Sequence, residues 1–162
     1  MEEKGTPKTK WIIKKYKSPE DWKKGKSYAS ETIEGNLLLE AGVNRLWELF
    51  AGEATATATA FNNSNAHLCV GDGTAAAATG QTDLQGTNKT RKGMDSGYPT
   101  YGSDMKITFY STFGSAEANH GWQEFGVANA SSGGVLFDRK VEDKGTKASP
   151  EVWTLQLEIS LS

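Results

Sequence analysis

The last eleven residues, VWTLQLEISLS, alternate without a break. Val152, Thr154, Gln156, Glu158 and Ser160 fall on one side, and Trp153, Leu155, Leu157, Ile159 and Leu161 on the other. A side-chain period of two belongs to a β-strand with one buried face and one face at solvent or at an interface. A strand of this kind needs partners. Residues 104–114 (DMKITFYSTFG), 121–130 (GWQEFGVANA) and 133–141 (GGVLFDRKV) supply them, with a short apolar run at 66–71. Turn-rich connectors such as SAEANH, SSGG and EDKGTKASP separate the runs. Residues 53–66 are low in complexity and read as a loop.

Only one segment has a clear helical period. In NLLLEAGVNRLWELFAG, residues 36–52, the apolar residues Leu39, Val43, Leu46 and Phe50 recur every three or four positions, with Leu38 and Trp47 widening the stripe. Asn36 is a suitable N-cap and Gly52 a suitable C′ residue. Gly42 weakens the helix interior by about 1 kcal/mol relative to Ala, so close packing is expected there. The predicted fold is mainly β: an antiparallel, jelly-roll-like β-sandwich body over residues 36–162, carrying an amphipathic helix at 36–51.

Charge divides the chain. Net charge is −2, but residues 1–28 hold nine Lys against four acidic residues, and the remainder is correspondingly acidic. Residues 1–35 are therefore expected to form an extended basic arm. WIIKKYK, residues 11–17, is β-prone and suited to adding as a strand to a sheet edge. SPEDW reads as a turn or a helix start, with Ser18 as N-cap and Pro19 at the first helical position. The expected partner-binding residues are Trp11, Ile12, Ile13, Lys14, Lys15, Tyr16, Lys17 and Trp22. A plain polycation for nucleic acid does not need so many apolar anchors, which favours the acidic face of a neighbouring protein over nucleic acid.

The stretch HLCVGDGTAAAATGQ, residues 67–81, has the outline of a phosphate-binding loop. A dinucleotide loop requires Gly-x-Gly-x-x-Gly opening a helix. Here Gly71 and Gly73 are followed by Ala76, and no Gly-Lys-Ser/Thr occurs. The segment reads as a buried strand, a turn and a small-residue loop, with no cofactor expected. The single Cys69 permits neither an intrachain disulfide nor a multi-cysteine zinc site and is assigned to the core. His120 is expected at the surface or an interface. The basic run at 89–92 is read as a solvated loop or a contact with an acidic neighbour. Neither Gly-x-Ser-x-Gly, His-x-x-x-His nor a calcium loop is present, so no catalytic or metal residue is assigned and the chain is read as non-enzymatic. The absence of a secretory pattern and of any stretch near 20 apolar residues predicts a soluble protein made in a cytoplasm, with no membrane partner.

The order NLLLEAGVNRLWELFAG, FNNSNAHLCVGDGTAAAATGQTDLQG, KGMDSGYPT, ITFYSTFGSAEANHGWQEFGVAN and VLFDRKVEDKGTKASPEVWTLQLEISLS resembles a family of tailed-bacteriophage virion proteins. The resemblance covers residues 36–162 and leaves the basic segment outside it. It implies a capsid decoration (cement) protein with a β-rich body on the virion surface, contacting the phage major capsid protein and neighbouring copies of itself. The alternative it leaves open is a tail or fibre component binding a host surface.

Overall fold

The computed structural model describes residues 5–52 and 59–161. Its elements run β1 (Pro7–Tyr16), α1 (Pro19–Lys23), β2 (Ala29–Glu34), β3 (Leu37–Leu38), α2 (Glu40–Ala51), β4 (His67–Gly71), β5 (Lys89–Gly93), β6 (Thr100–Ser103), β7 (Lys106–Phe113), β8 (Glu124–Ala128), β9 (Asp138–Val141) and β10 (Val152–Leu161). Two five-stranded antiparallel sheets form a sandwich, ordered β2-β1-β10-β7-β6 and β3-β9-β8-β4-β5. Residues 53–58, the first part of the expected loop, lie outside the described residues.

The main correction concerns the N-terminal segment. Residues 7–34 do not extend as an arm separate from the body. β1 lies inside the first sheet, paired with β10 along its whole length and with β2 on its other side. The reason is a period of two beneath the lysine-rich composition. Thr9, Trp11, Ile13 and Lys15 turn inward and are buried, while Lys8, Lys10 and Lys14 turn outward. The register sets Lys10 opposite Glu34 on one side and Glu158 on the other, and Lys15 pairs with Glu31, so part of the basic excess is met within the sheet.

The core lies between the sheets. Trp11, Ile13, Phe109, Phe113, Leu155 and Leu157 face Leu68, Val70, Phe125 and Val127, joined by Trp122 and Trp153. Trp122 centres an aromatic cluster, edge-on to Phe113 and to Trp153 with centroids 4.9 Å away in both cases. Its indole N–H donates to the Ala118 carbonyl at 3.1 Å. β10 keeps the alternation read from its sequence only over residues 155–158, with Leu155 and Leu157 fully buried and Gln156 and Glu158 partly exposed; Val152 and Thr154 on the other face are buried as well, and Leu161 is exposed. A smaller cluster of Leu39, Cys69, Leu84, Ala128 and Leu136 lies apart from this core. Burial pushes the Cys69 thiol up to about 12.

Two helices are present among the described residues. α1 is capped by Ser18, whose hydroxyl accepts from the Asp21 amide, and has Pro19 in its first turn. α2 begins at Glu40, not at residue 36, because Leu37 and Leu38 pair as β3 with Arg139 and Asp138 of β9. Asn36 serves elsewhere: it accepts from the Thr9 hydroxyl at 2.9 Å and donates to Asp138 Oδ2. Tertiary acceptors take the amides at the start of α2, with Leu39 donating to Phe137 O and Glu40 to Thr79 O. Gly42 lies against β9's approach. A Cβ there would sit 2.5 Å from the Phe137 backbone, which is the close packing its position called for. Gly52 ends the helix in a left-handed conformation.

Candidate functional site

The glycine segment contributes Gly73 to an anion site that Gln85 and Gly86 beyond it share, and the anion is the protein's own Glu124. Its carboxylate accepts from the amides of Gly73 at 3.2 Å, Gly86 at 2.7 Å and Gln85 at 2.9 Å, and from Arg139 Nε at 2.8 Å. Glu124 and Arg139 side chains are wholly buried. Gln81 completes the cluster by accepting from Arg139 Nη1 at 3.0 Å. Glycine is required for space: a Cβ on Gly71 or Gly73 would lie 2.5 Å from Glu124 Oε1. The residues resembling a phosphate cradle therefore fold the 72–88 loop around an internal ion pair. Asp138, on β9 beside Arg139, is a second buried carboxylate. Burial lifts it to about 7, although Asn36 and the Val127 amide both donate to it.

The eight residues expected to bind a partner do not form one surface. Trp11, Ile13 and Tyr16 are buried, and the Trp11 ring lies 5.9 Å from that of Phe125. Lys15 is buried at the edge of the core, where its ammonium donates to Lys144 O, pairs with Glu31 and lies 4.3 Å from the Trp153 ring centroid. Ile12 is half-buried, Lys14 and Lys17 are exposed, and Trp22 is 38% exposed on α1. Their role as a common binding patch is corrected accordingly: β1 spends its apolar residues on the protein's own core.

The basic run at 89–92 falls in the edge strand β5 rather than a loop. Its acidic neighbours are intramolecular. Lys89 and Arg91 pair with Asp83 at 2.9 and 3.0 Å, and Lys92 pairs with Glu117. Burial works to raise the Asp83 carboxyl, but the hydrogen bonds from Lys89 and Arg91 hold it below the usual range. His120 is half-buried, with Nε2 3.0 Å from the Thr90 hydroxyl.

The surface that stands open is at one end of the sandwich. There the sheets part around an apolar cavity of about 1050 Å³, with Phe109, Val127, Phe137 and Ile159 among its walls and Leu46 and Tyr101 at its sides. α2 flanks this mouth. Along its stripe Leu39 is buried and Val43 half-buried, but Leu46 is 45% and Phe50 83% exposed. The first turn packs closely at Gly42, and the exposed apolar side chains lie on the later turns. Trp47, 58% exposed, meets Phe50 edge-on at 6.2 Å. Across the mouth, Tyr101, Met105 and Leu161 are also exposed. Only the beginning of the stripe is buried. The signal in the sequence was the width of the apolar arc, which adds Trp47 to a stripe already complete.

Among the described residues, no cluster of three or more His, Cys, Asp or Glu is arranged to hold a metal ion, and no helix is long and apolar enough to cross a membrane. The chain has no significant match among protein-family models, curated proteins or solved structures.

Proposed function

We propose that the protein is a non-enzymatic structural component of a bacteriophage particle, a decoration (cement) protein that sits on the major capsid protein lattice and stabilises the head. The observation that carries this reading is the apolar surface of α2 and the adjoining mouth, which marks a protein that joins other copies or chains, while the contact with the lattice itself is assigned to a separate segment. The motif order over residues 36–162, which resembles virion proteins of tailed phages, supplies the particle. The finer description of the sandwich as jelly-roll-like belongs to the same proposal, supported by the chain's repeated passage between the two sheets.

Attachment to the lattice falls to the body rather than to residues 1–35. Residues 74–100 are the candidate. Ala75, Ala76, Ala78 and Gly80, in the 72–88 loop of this segment, are exposed and small, which permits close approach of another backbone. The test is a reconstruction of the virion that carries this chain. Hundreds of copies on the head support decoration, whereas a few to tens of copies at the tail overturn it in favour of a tail or fibre component. Sedimentation with undecorated capsids tests the loop: Ala76→Trp with Ala78→Trp should abolish occupancy while leaving the fold intact, and full occupancy would move attachment elsewhere.

A further inference from the structure

From α2 and the mouth beside it we infer a homodimer: two copies pair about a two-fold axis, each placing Trp47 and Phe50 in the mouth of the other. The inference concerns the purified chain and stands whether or not the particle reading holds.

The first support is the continuity of the face. A helix turns about 100° per residue, so Leu49, Leu46, Phe50 and Trp47 occupy one unbroken arc. Leu49 and Leu46 line the mouth, while Phe50 and Trp47 carry the apolar surface outward from it. Projection and cavity therefore adjoin on one side of the molecule.

The second support is that, among the described residues, Trp47 and Phe50 are not part of the mouth of their own chain. The amides of Leu39 and Glu40 are bound to Phe137 O and Thr79 O, and Gly42 rests on the Phe137 backbone. These contacts fix the direction of α2, so its last turns stand beside the cavity rather than within it. The projection needs another cavity, and the cavity another projection. An isologous two-fold contact satisfies both needs twice with one surface.

The third support is area. Leu46, Trp47, Phe50, Tyr101, Met105 and Leu161 are 45–83% exposed. Together they offer roughly 800 Å² to a partner, taking large side chains at about 150–250 Å² each. That is close to the share each partner contributes to a stable interface. Aromatic residues at the centre of the face are the kind that dominate binding energy.

The experiment is sedimentation equilibrium on the purified chain from one to one hundred micromolar, with light scattering as a second measure of mass. The expected mass is twice the 17.5 kDa of the chain. Phe50→Glu should reduce it to that of the monomer, and so should Met105→Glu on the opposite wall of the mouth. Both side chains are exposed in the single chain, so circular dichroism and the cooperativity of unfolding should match the parent's. The buried Cys69 cannot link the copies covalently without unfolding. A monomeric parent at one hundred micromolar overturns the inference. So does a dimer that survives Phe50→Glu in folded form, or a ring of three or more copies that the substitution dissolves. Should either variant fail to fold, Trp47→Ser is the substitute at the same contact, with the same two outcomes.

Discussion

Replacing Arg139 with Met should destabilise the protein by about 3–5 kcal/mol, as expected when one member of a buried ion pair is removed. The magnitude follows from what remains. Glu124 would keep three backbone donors, from Gly73, Gln85 and Gly86, but lose the one positive charge that contacts it, at 2.8 Å. Its side chain has no exposure through which water could compensate. Glu124→Gln should cost a similar amount for the opposite reason: Arg139 stays charged, and an amide NH₂ is set among donors. The double variant has neither charge, so its cost should fall short of the sum by about 1–3 kcal/mol. Urea unfolding of the four proteins gives the cycle. Amide hydrogen exchange gives its location, with Gly73, Gln85 and Gly86 losing protection in Glu124→Gln while the strand amides of β4 keep theirs. Single variants within about 1 kcal/mol of the parent, or a double variant additive to about 0.5 kcal/mol, would refute the view that this ion pair holds the loop.

Gly42→Ala should destabilise by about 1–3 kcal/mol in thermal or urea unfolding despite the better helix propensity of Ala, because the new Cβ meets the Phe137 backbone. Deleting residues 1–26 removes β1 from between β2 and β10 and should give an insoluble or non-cooperative product; a truncated chain that unfolds cooperatively would contradict β1's place in the core. Asp138 should make stability fall with rising pH. Its folded value of about 7 lies above the ordinary 3.8, so the native state holds a proton that the unfolded chain releases. Its contribution is full below about pH 4 and is lost as pH rises through about 7, amounting to at most about 4 kcal/mol. The stability of the parent minus that of Asp138→Asn should decline across this window, and a flat difference would show that the carboxyl is not protonated in the fold.

The legible parts of the sequence were those where one pattern dominated. β10 was read from its alternation, α1 from Ser18 and Pro19, and the end of α2 from Gly52. Gly42 announced close packing without naming Phe137. β1 was misread for a physical reason. Nine lysines in the first 28 residues make a composition that suggests an arm, yet Lys8, Lys10 and Lys14 occupy one face of a strand whose other face holds Trp11 and Ile13. Charge averaged over a segment hides a period of two. β5 and β6 went unseen because both are short, polar edge strands, KTRKG and TYGS, with no apolar alternation. Glu124 was beyond reach for another reason. Nothing local to it points to amides 38 to 51 positions away, and only the folded loop brings them together.

These buried groups and the open mouth belong to one arrangement. Glu124 holds the amides of residues 73, 85 and 86, and so fixes both ends of the loop whose Thr79 carbonyl accepts from the Glu40 amide at the start of α2. Its ion-pair partner Arg139 sits on β9, opposite Leu37 of β3, the strand that leads into that helix. Asp138, next along, pairs with Leu38 and through Asn36 reaches the Thr9 hydroxyl of β1 in the other sheet. The start of α2 is therefore tied to both sheets and to the glycine loop before the helix leaves the body. A helix held this firmly at its start keeps Trp47 and Phe50 out of the mouth beside them. Loosening the anchor should then change assembly as well as stability. In Glu124→Gln the helix gains freedom to fold its apolar arc toward its own mouth, so the variant should self-associate more weakly than the parent under conditions where both are folded.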